Sequence, residues 1–428
     1  MHGLLIAAPA SGQGKTTVTL GLLRALRRRG VSVASAKSGP DFIDPAFHAA
    51  ATGKLCLTLD PWAADAAQVR GRANAAEGEV LVVEGAMGLW DGAASGGPVG
   101  DASSATVAKA LGLPVVLVVD AARMGQGVAA LLHGMMTYDP DIEIAGVILN
   151  RVGSDRHEAM LRRAAETVCT VFGCLRRDTS LSTPSRHLGL VQAGEREDLD
   201  VFLDAAADHV EAGCDIDTIL NATKTAKANV IGIKPLPVLG QRIAVARDLA
   251  FAFCYDHLLS DWRAQGAELS FFSPLADQAS DGDADAIYLP GGYPELHAGR
   301  LAAADTFRTS MQRRAEAGAM IYGECGGYMV LGDGLSDGDG VRHKMIGLLR
   351  VETSFAKPSR TLGYRQITIG DGPLRGTFRG HEFHYSEALS EHGEPFATTK
   401  DAAGSDLGTA GLRHGRIFGS YMHLVERD

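Results

Sequence analysis

Two sets of side chains in this sequence are spaced for chemistry. The first is Gly12-Gln13-Gly14-Lys15-Thr16-Thr17, close to the start of the chain. Glycines at 12 and 14 permit a tight turn whose backbone N–H groups converge on an anion, and a helix leaving the turn adds its positive end. Lys15 would reach the β- and γ-phosphates of ATP, the Thr16 hydroxyl would bind Mg²⁺, and Thr17 completes the loop. Pro9 stands where the longer form of the motif has a glycine, so the match is to the shorter core. The second set is Gly323-Glu324-Cys325-Gly326-Gly327 together with His423. Glycines on both sides of a cysteine at a strand-to-helix turn expose its thiol at a helix N-terminus, which favours thiolate. Cys325 is then a nucleophile. Gly291 and Gly292 would supply backbone donors to an oxyanion, and His423 is a general base late in the chain.

Both sets need rigid supports, and alternating apolar and helical runs provide them. Residues 4–8 read as a buried strand and 17–29 as a helix closed by Gly30. Strands at 31–36, 80–83, 114–119 and 145–149 continue the pattern and imply a doubly wound, mostly parallel sheet over residues 1–220. The strand at 31–36 delivers Lys37, Asp41 and Asp44 on a Gly/Pro loop at the sheet edge where α/β proteins bind ligands. A lysine and two aspartates there suit a phosphate and its metal. The strand at 80–83 ends in Glu84, a Mg²⁺ ligand by position, with Asp91 a weaker one because Asp-Gly is also a plain turn. Asn150, at the end of 145–149, would read an adenine edge or cap the next helix.

Lysines, prolines and glycines over 221–241 read as a linker. A second α/β domain then occupies 242–428, with strands at 243–246, 285–289, 319–322 and 416–421. His423 follows the last of these. His381 and His384 share a strand with Glu382, whose alternation puts His381 on one face and the other two on the opposite face. That pattern is structural or substrate-facing rather than metal-binding.

Composition narrows the partners. The 428 residues are enough for two or three domains, and 46% apolar with 21% charged residues is ordinary for a globular protein. A net charge of −10 argues against nucleic-acid or anionic-membrane surfaces, so an anionic substrate must be held locally. No apolar run reaches the ~18 residues needed to span a bilayer. Six cysteines without a C-x-x-C pair point to reduced thiols in the cytoplasm.

With these residues placed, the chain resembles the cobyrinic or hydrogenobyrinic acid a,c-diamide synthases over nearly its whole length. The resemblance rests on Ser38-Gly39-Pro40-Asp41-Phe42-Ile43-Asp44-Pro45, on Val83-Glu84-Gly85-Ala86-Met87-Gly88-Leu89-Trp90-Asp91-Gly92, on Leu289-Pro290-Gly291-Gly292-Tyr293-Pro294-Glu295 and on Gly380-His381-Glu382-Phe383-His384-Tyr385-Ser386. It implies a P-loop domain like dethiobiotin synthetase followed by a class I, triad-type glutamine amidotransferase domain. The implied reaction is ATP-dependent amidation of two carboxylates on a corrin-type macrocycle, with glutamine as nitrogen donor. Lys15, Thr16 and Lys37 would bind phosphate, Asp41 and Glu84 would hold Mg²⁺, and Cys325 and His423 would release ammonia. Such enzymes carry His-x-Glu, whereas His423 is followed by Leu424-Val425-Glu426, leaving open which group orients the imidazole. Ala10 stands where related P-loop dimers place a lysine. That argues against a second subunit completing the nucleotide site, and a homodimer stays open as the assembly. Arg360 and Arg365, in a basic stretch with interleaved aromatics, are the candidate anchors for ring carboxylates, and Asp44 is a further substrate-facing candidate. Two rivals remain: the same chemistry on another ring such as a nickel-sirohydrochlorin, and a P-loop switch protein with an inactive amidotransferase domain.

Overall fold

The β-branched runs of the first half form strands buried on both faces, as a parallel sheet between helical layers requires. The computed structural model describes residues 1–181, 192–227 and 232–428. The strands of the first half are β1 (His2–Ala7), β2 (Val33–Ser38), β3 (Cys56–Leu59), β4 (Val80–Glu84), β5 (Val115–Asp120), β6 (Ile144–Val152) and β7 (Val171–Arg176). They lie in the order β3-β2-β4-β1-β5-β6-β7, and every pair is parallel. The chain winds to one side of β1 through β2–β4 and to the other through β5–β7. The loop at the carboxyl end of β1 therefore opens at the switch point of the sheet.

That loop leads into the helix Lys15–Arg28, which starts at Gly14 and carries Arg27 and Arg28 in its last turn, where cations suit the helix dipole. Gly30, at a left-handed φ of 78°, closes it. The helix is pinned to a neighbour, Leu199–Gly213, by Arg24 donating to Asp204 at 2.7 Å. Among the described residues, no helix is long and apolar enough to cross a membrane.

The chain divides into two units, Met1–Ile233 and Lys234–Asp428. The stretch 221–241, expected as a linker, contains β8 (Lys224–Thr225), which pairs antiparallel with the first residues of β1. Residues 228–231 of that stretch, like 182–191 of the first half, lie outside the described residues.

The second unit is built from β9 (Arg242–Ala246), β10 (Glu268–Phe272), β11 (Ala286–Leu289), β12 (Met320–Glu324), β13 (Gly334–Ser336), β14 (Arg342–Lys344), β15 (Val351–Ser354), β16 (Thr361–Ile369), β17 (Gly376–His384), β18 (Glu387–Glu391), β19 (Glu394–Asp401), β20 (Asp406–His414), β21 (Ile417–Ser420) and β22 (Met422–Arg427). Its main sheet runs β10-β9-β11-β12-β21-β20-β19-β16-β17-β22, and a smaller sheet runs β14-β13-β15-β18. The strands from β10 to β21 are parallel, and those beyond β21 are antiparallel. The main sheet curls enough for β22 to return to β12: Leu424 N donates to the Glu324 carboxylate at 3.1 Å. The strand expected over 416–421 is present as β21, and His423 comes after it in the chain. That histidine lies inside β22, directly opposite His381 of β17.

Candidate active sites

Gly12 and Gly14 adopt φ of 78° and 91°, and a Cβ at Gly14 would collide with the Asn150 side-chain amide. Only glycine there lets that amide reach the loop, where it donates to the Gln13 carbonyl at 2.9 Å. The helix after β6, Asp155–Ala165, is capped by Ser154, so Asn150 is no helix cap. Gln13 in turn accepts from Asp120 N at 2.7 Å, tying the loop to the end of β5. Residues 12–18 and Asn150 line a cleft of about 930 Å³ that also collects Arg123, Arg151, Arg176 and Arg177. The local cationic groups required by an acidic chain are present.

Beneath the loop lies a buried polar knot. Thr16 donates to Glu84 Oε1 at 2.7 Å and lies 3.4 Å from Asp44 Oδ2. Lys37 Nζ contacts Asp44 at 2.6 Å and Glu84 at 3.0 Å, with Asp41 farther away at 3.8 Å. His48 completes the knot through Nε2, 2.6 Å from Glu84 Oε2. Burial alone would lower the Lys37 ammonium, but Glu84, Asp44 and Asp41 outweigh it and hold it charged. Burial together with the Asp41 and Glu84 charges raises Asp44 to about 7. Burial would also raise Glu84, yet Lys37, His48 and the Thr16 hydroxyl keep it well below the usual carboxylate range. Lys15 donates to the Met87 carbonyl, and burial, with Lys37 nearby, lowers its ammonium despite Glu84, Asp44 and Asp91.

Asp41 does something else with one oxygen: Oδ1 accepts from Ile43 N at 2.8 Å and Asp44 N at 3.2 Å, capping the helix Ile43–Thr52. Asp91 is likewise committed to a turn, accepting from Gly88 N at 2.8 Å. Among the described residues, no three His, Cys, Asp or Glu side chains form a metal cage. The Thr16 hydroxyl with the Asp44 and Glu84 carboxylates nevertheless presents hard oxygens beside the phosphate loop. That suits Mg²⁺, which takes one or two carboxylates and completes its shell with water and phosphate.

In the second unit, Cys325 sits at φ 47°, ψ −108° between β12 and the helix Gly326–Leu331. This is a sharp, strained turn of the nucleophile-elbow kind. A Cβ on Gly291 would collide with His423 Cε1 and lie 3.1 Å from its Nε2 and 3.2 Å from Cys325 Cβ. Cys325 Cβ, the Nε2 edge of the imidazole and Gly291 therefore meet around one point, with the thiol donating to the Phe383 carbonyl at 3.7 Å, and Gly292 N borders Gly326. The surroundings of the thiol oppose the thiolate that the glycine turn suggests. Cys325 is 3% exposed, and burial, followed by the Glu295 carboxylate, pushes its thiol far up, more than the Gly326 N–H can offset. The helix behind it has six residues. His423 Nδ1 faces Glu324 Oε2 at 3.6 Å, and His381 stacks on the imidazole with ring centres 4.9 Å apart. His381 is held by Tyr255 at 2.7 Å, and burial keeps it neutral.

Residues 4–191 match the CobQ/CobB/MinD/ParA nucleotide binding domain, and residues 242–427 match the CobB/CobQ-like glutamine amidotransferase domain. The first match encloses the phosphate loop and the second encloses Cys325 and His423. Along its full length the chain is 57% identical to a hydrogenobyrinate a,c-diamide synthase of Rhizobium meliloti, with 99% of that protein covered. It is 54% identical to the enzyme of that name in Brucella anthropi and 47% identical to that of Mesorhizobium japonicum, again over 100% of this chain and 99% of each relative. The chain belongs to the hydrogenobyrinate a,c-diamide synthase family.

Within this member of the family, three groups at the sites escaped the reading of the sequence. His48 follows Asp44 by one helical turn, a spacing that does place both on one face. Arg151 takes a left-handed φ of 58° and donates to the Gly12 carbonyl at 3.0 Å, which nothing in the sequence signals. Glu324 was visible only as a neighbour of Cys325. The two arginines expected to face the substrate are not equivalent. Arg360 is exposed, whereas Arg365 donates to Glu382 at 2.8 Å, and Glu382 also contacts His384 at 2.9 Å.

Proposed function

We propose that this protein amidates the a and c carboxylates of hydrogenobyrinic acid in cobalamin biosynthesis, using ATP and glutamine. The full-length relationship to the named synthases carries this reading, and the rival P-loop switch loses its support. Two half-reactions divide between the units. In the second, the Cys325 sulfur attacks the glutamine amide carbon while its proton passes to His423 Nε2. The C–N bond then breaks as the imidazolium gives that proton to the departing nitrogen. Ammonia leaves, and water hydrolyses the remaining thioester to glutamate. Gly291 and Gly292 N–H groups would stabilise the oxyanion.

In the first unit, a ring carboxylate takes the terminal phosphoryl group of ATP, giving an acyl phosphate and ADP. Ammonia displaces the phosphate and leaves the amide. Lys15 and the Lys37 ammonium balance charge on the transferred group. Thr16, Asp44 and Glu84 would hold Mg²⁺, which supplies Lewis-acid stabilisation of the phosphate oxygens. The protein's own part is to hold these donors fixed before the nucleotide arrives, which the hydrogen bonds of the buried knot do. Incubation with ATP, Mg²⁺, glutamine and hydrogenobyrinic acid should give a product whose mass reflects two replacements of OH by NH₂. Absence of that product, with nickel-sirohydrochlorin or cobyrinic acid converted instead, would reassign the ring.

Two further outcomes follow from the geometry. Gly291→Ala places a methyl group against His423 and Cys325, so glutamate release from glutamine should be lost while ammonia-supported amidation continues. Arg360 is free to meet a ring carboxylate. Arg360→Ala should raise the KM for the macrocycle roughly tenfold, the loss of one charge-assisted hydrogen bond. The KM for ATP should stay constant, and an unchanged macrocycle KM would remove Arg360 from the substrate site.

A further inference from the structure

We propose that Glu324, the residue directly before the nucleophile in the chain, is the positioning residue that orients His423. The position two residues after His423 is Val425, which has no carboxyl group to offer. Glu324 is 1% exposed, and each of its oxygens is accounted for by a donor. Oε1 accepts from Tyr322 OH at 2.7 Å and from Leu424 N at 3.1 Å. Oε2 accepts from Tyr288 OH at 2.7 Å and faces His423 Nδ1 at 3.6 Å. Three donors from β11, β12 and β22 thus fix the carboxylate in place.

The imidazole is oriented to match. Its Nδ1 is turned to Glu324, while its Nε2 edge lies over Gly291 on the side of Cys325. Such a carboxylate selects the tautomer with the proton on Nδ1, leaving Nε2 to take the thiol proton, and then stabilises the imidazolium. Catalytic hydrogen bonds of this kind are commonly long until substrate tightens the site, and the 3.6 Å separation is of that kind. The bond from Glu324 to Leu424 N ties the same carboxylate to the residue after His423, so any closure of the ring onto it is guided by the backbone. The neutral His381 ring stacked on the other side supplies shape and no competing charge.

The inference rests on Cys325 and His423 forming the ammonia-releasing pair, and the test separates the two claims. Glu324→Gln keeps the shape and one acceptor oxygen but gives Nδ1 an amide that no longer enforces the tautomer. In the full-length enzyme, kcat for glutamine-dependent amidation should fall on the order of 10³- to 10⁴-fold, as when the orienting carboxylate of a serine protease is replaced by its amide. The KM for glutamine should hold, and Glu324→Asp should recover part of kcat. With ammonium chloride in place of glutamine, where thiol and imidazole take no part, the rate should stay within about twofold, since removing a buried charge leaves the phosphate unit untouched. A glutamine-dependent kcat within threefold of wild type would overturn the proposal. If in parallel Cys325→Ser also retained glutamine-dependent activity, the pair itself would be misassigned; if Cys325→Ser were inactive, only the role of Glu324 would fall.

Should Glu324→Gln lose both activities, its fold has failed, and Tyr288→Phe and Tyr322→Phe decide. Each leaves the carboxylate but removes one of the donors that fix it. In both variants kcat for glutamine-dependent amidation should fall several-fold while the KM for glutamine and the ammonia-supported rate hold. An unchanged kcat in both would refute the orienting role.

Discussion

Cys325→Ser should form no amide from glutamine and should continue to form it from ammonium chloride. A serine hydroxyl in the same turn is intrinsically a far weaker nucleophile than a thiol, and this site is built around sulfur. Loss of the nucleophile in a comparable serine enzyme costs on the order of 10⁶-fold in kcat. The ammonia-supported reaction bypasses the thiol, and the loop, Lys37 and Glu84 lie in the other unit. The measurement is diamide formation by mass with each nitrogen source. Equal loss with both would show that Cys325 serves the fold rather than the chemistry. Because burial and the Glu295 carboxylate push the Cys325 thiol up, iodoacetamide should label it slowly in the wild-type protein, and a bound glutamine analogue should protect it further.

Lys15→Ala should show a different signature: amidation lost with either nitrogen source while glutamine hydrolysis persists. The ammonium is the charged group that the phosphate loop presents to the nucleotide. Losing one strong electrostatic donor to a developing charge costs about 3–4 kcal/mol, or roughly 10²- to 10³-fold in rate. Removal also leaves the Met87 carbonyl without the donor it has in the present structure. ATP-coupled product at the wild-type rate in this variant would dismiss Lys15 from phosphoryl transfer.

The parts of these sites that could be read from the sequence are local ones. Gly12, Gly14 and Lys15 announce themselves because a phosphate loop is built by consecutive backbone groups, and the glycines around Cys325 because an elbow is. The parallel sheet is equally local in origin: runs such as β5 have no polar residue until Asp120. The contacts that complete the sites are not local. Asp41 and Asp44 look interchangeable in the sequence. They part only because Asp41 turns one oxygen onto the helix end, while Asp44, one step into that helix, meets Lys37. The charge state of Cys325 depends on burial and on the Glu295 carboxylate of another loop. Glu324 reaches His423 only because the main sheet of the second unit curls back on itself, a property of ten strands together.

That curl also sets an order in time. The phosphate unit occupies the first part of the chain, and the thiol and its base arrive on β12 and on β22, the last strand of the unit. Chains emerge from the ribosome N-terminus first, at roughly 5–20 residues per second, and domains tend to fold as they appear. The unit that consumes ammonia is therefore finished well before the unit that produces it. Some seconds more, roughly 5–20 at that pace, separate Cys325 from His423. A nascent chain cannot hydrolyse glutamine to no purpose, because its ammonia source stays incomplete until the strand carrying the base has been made.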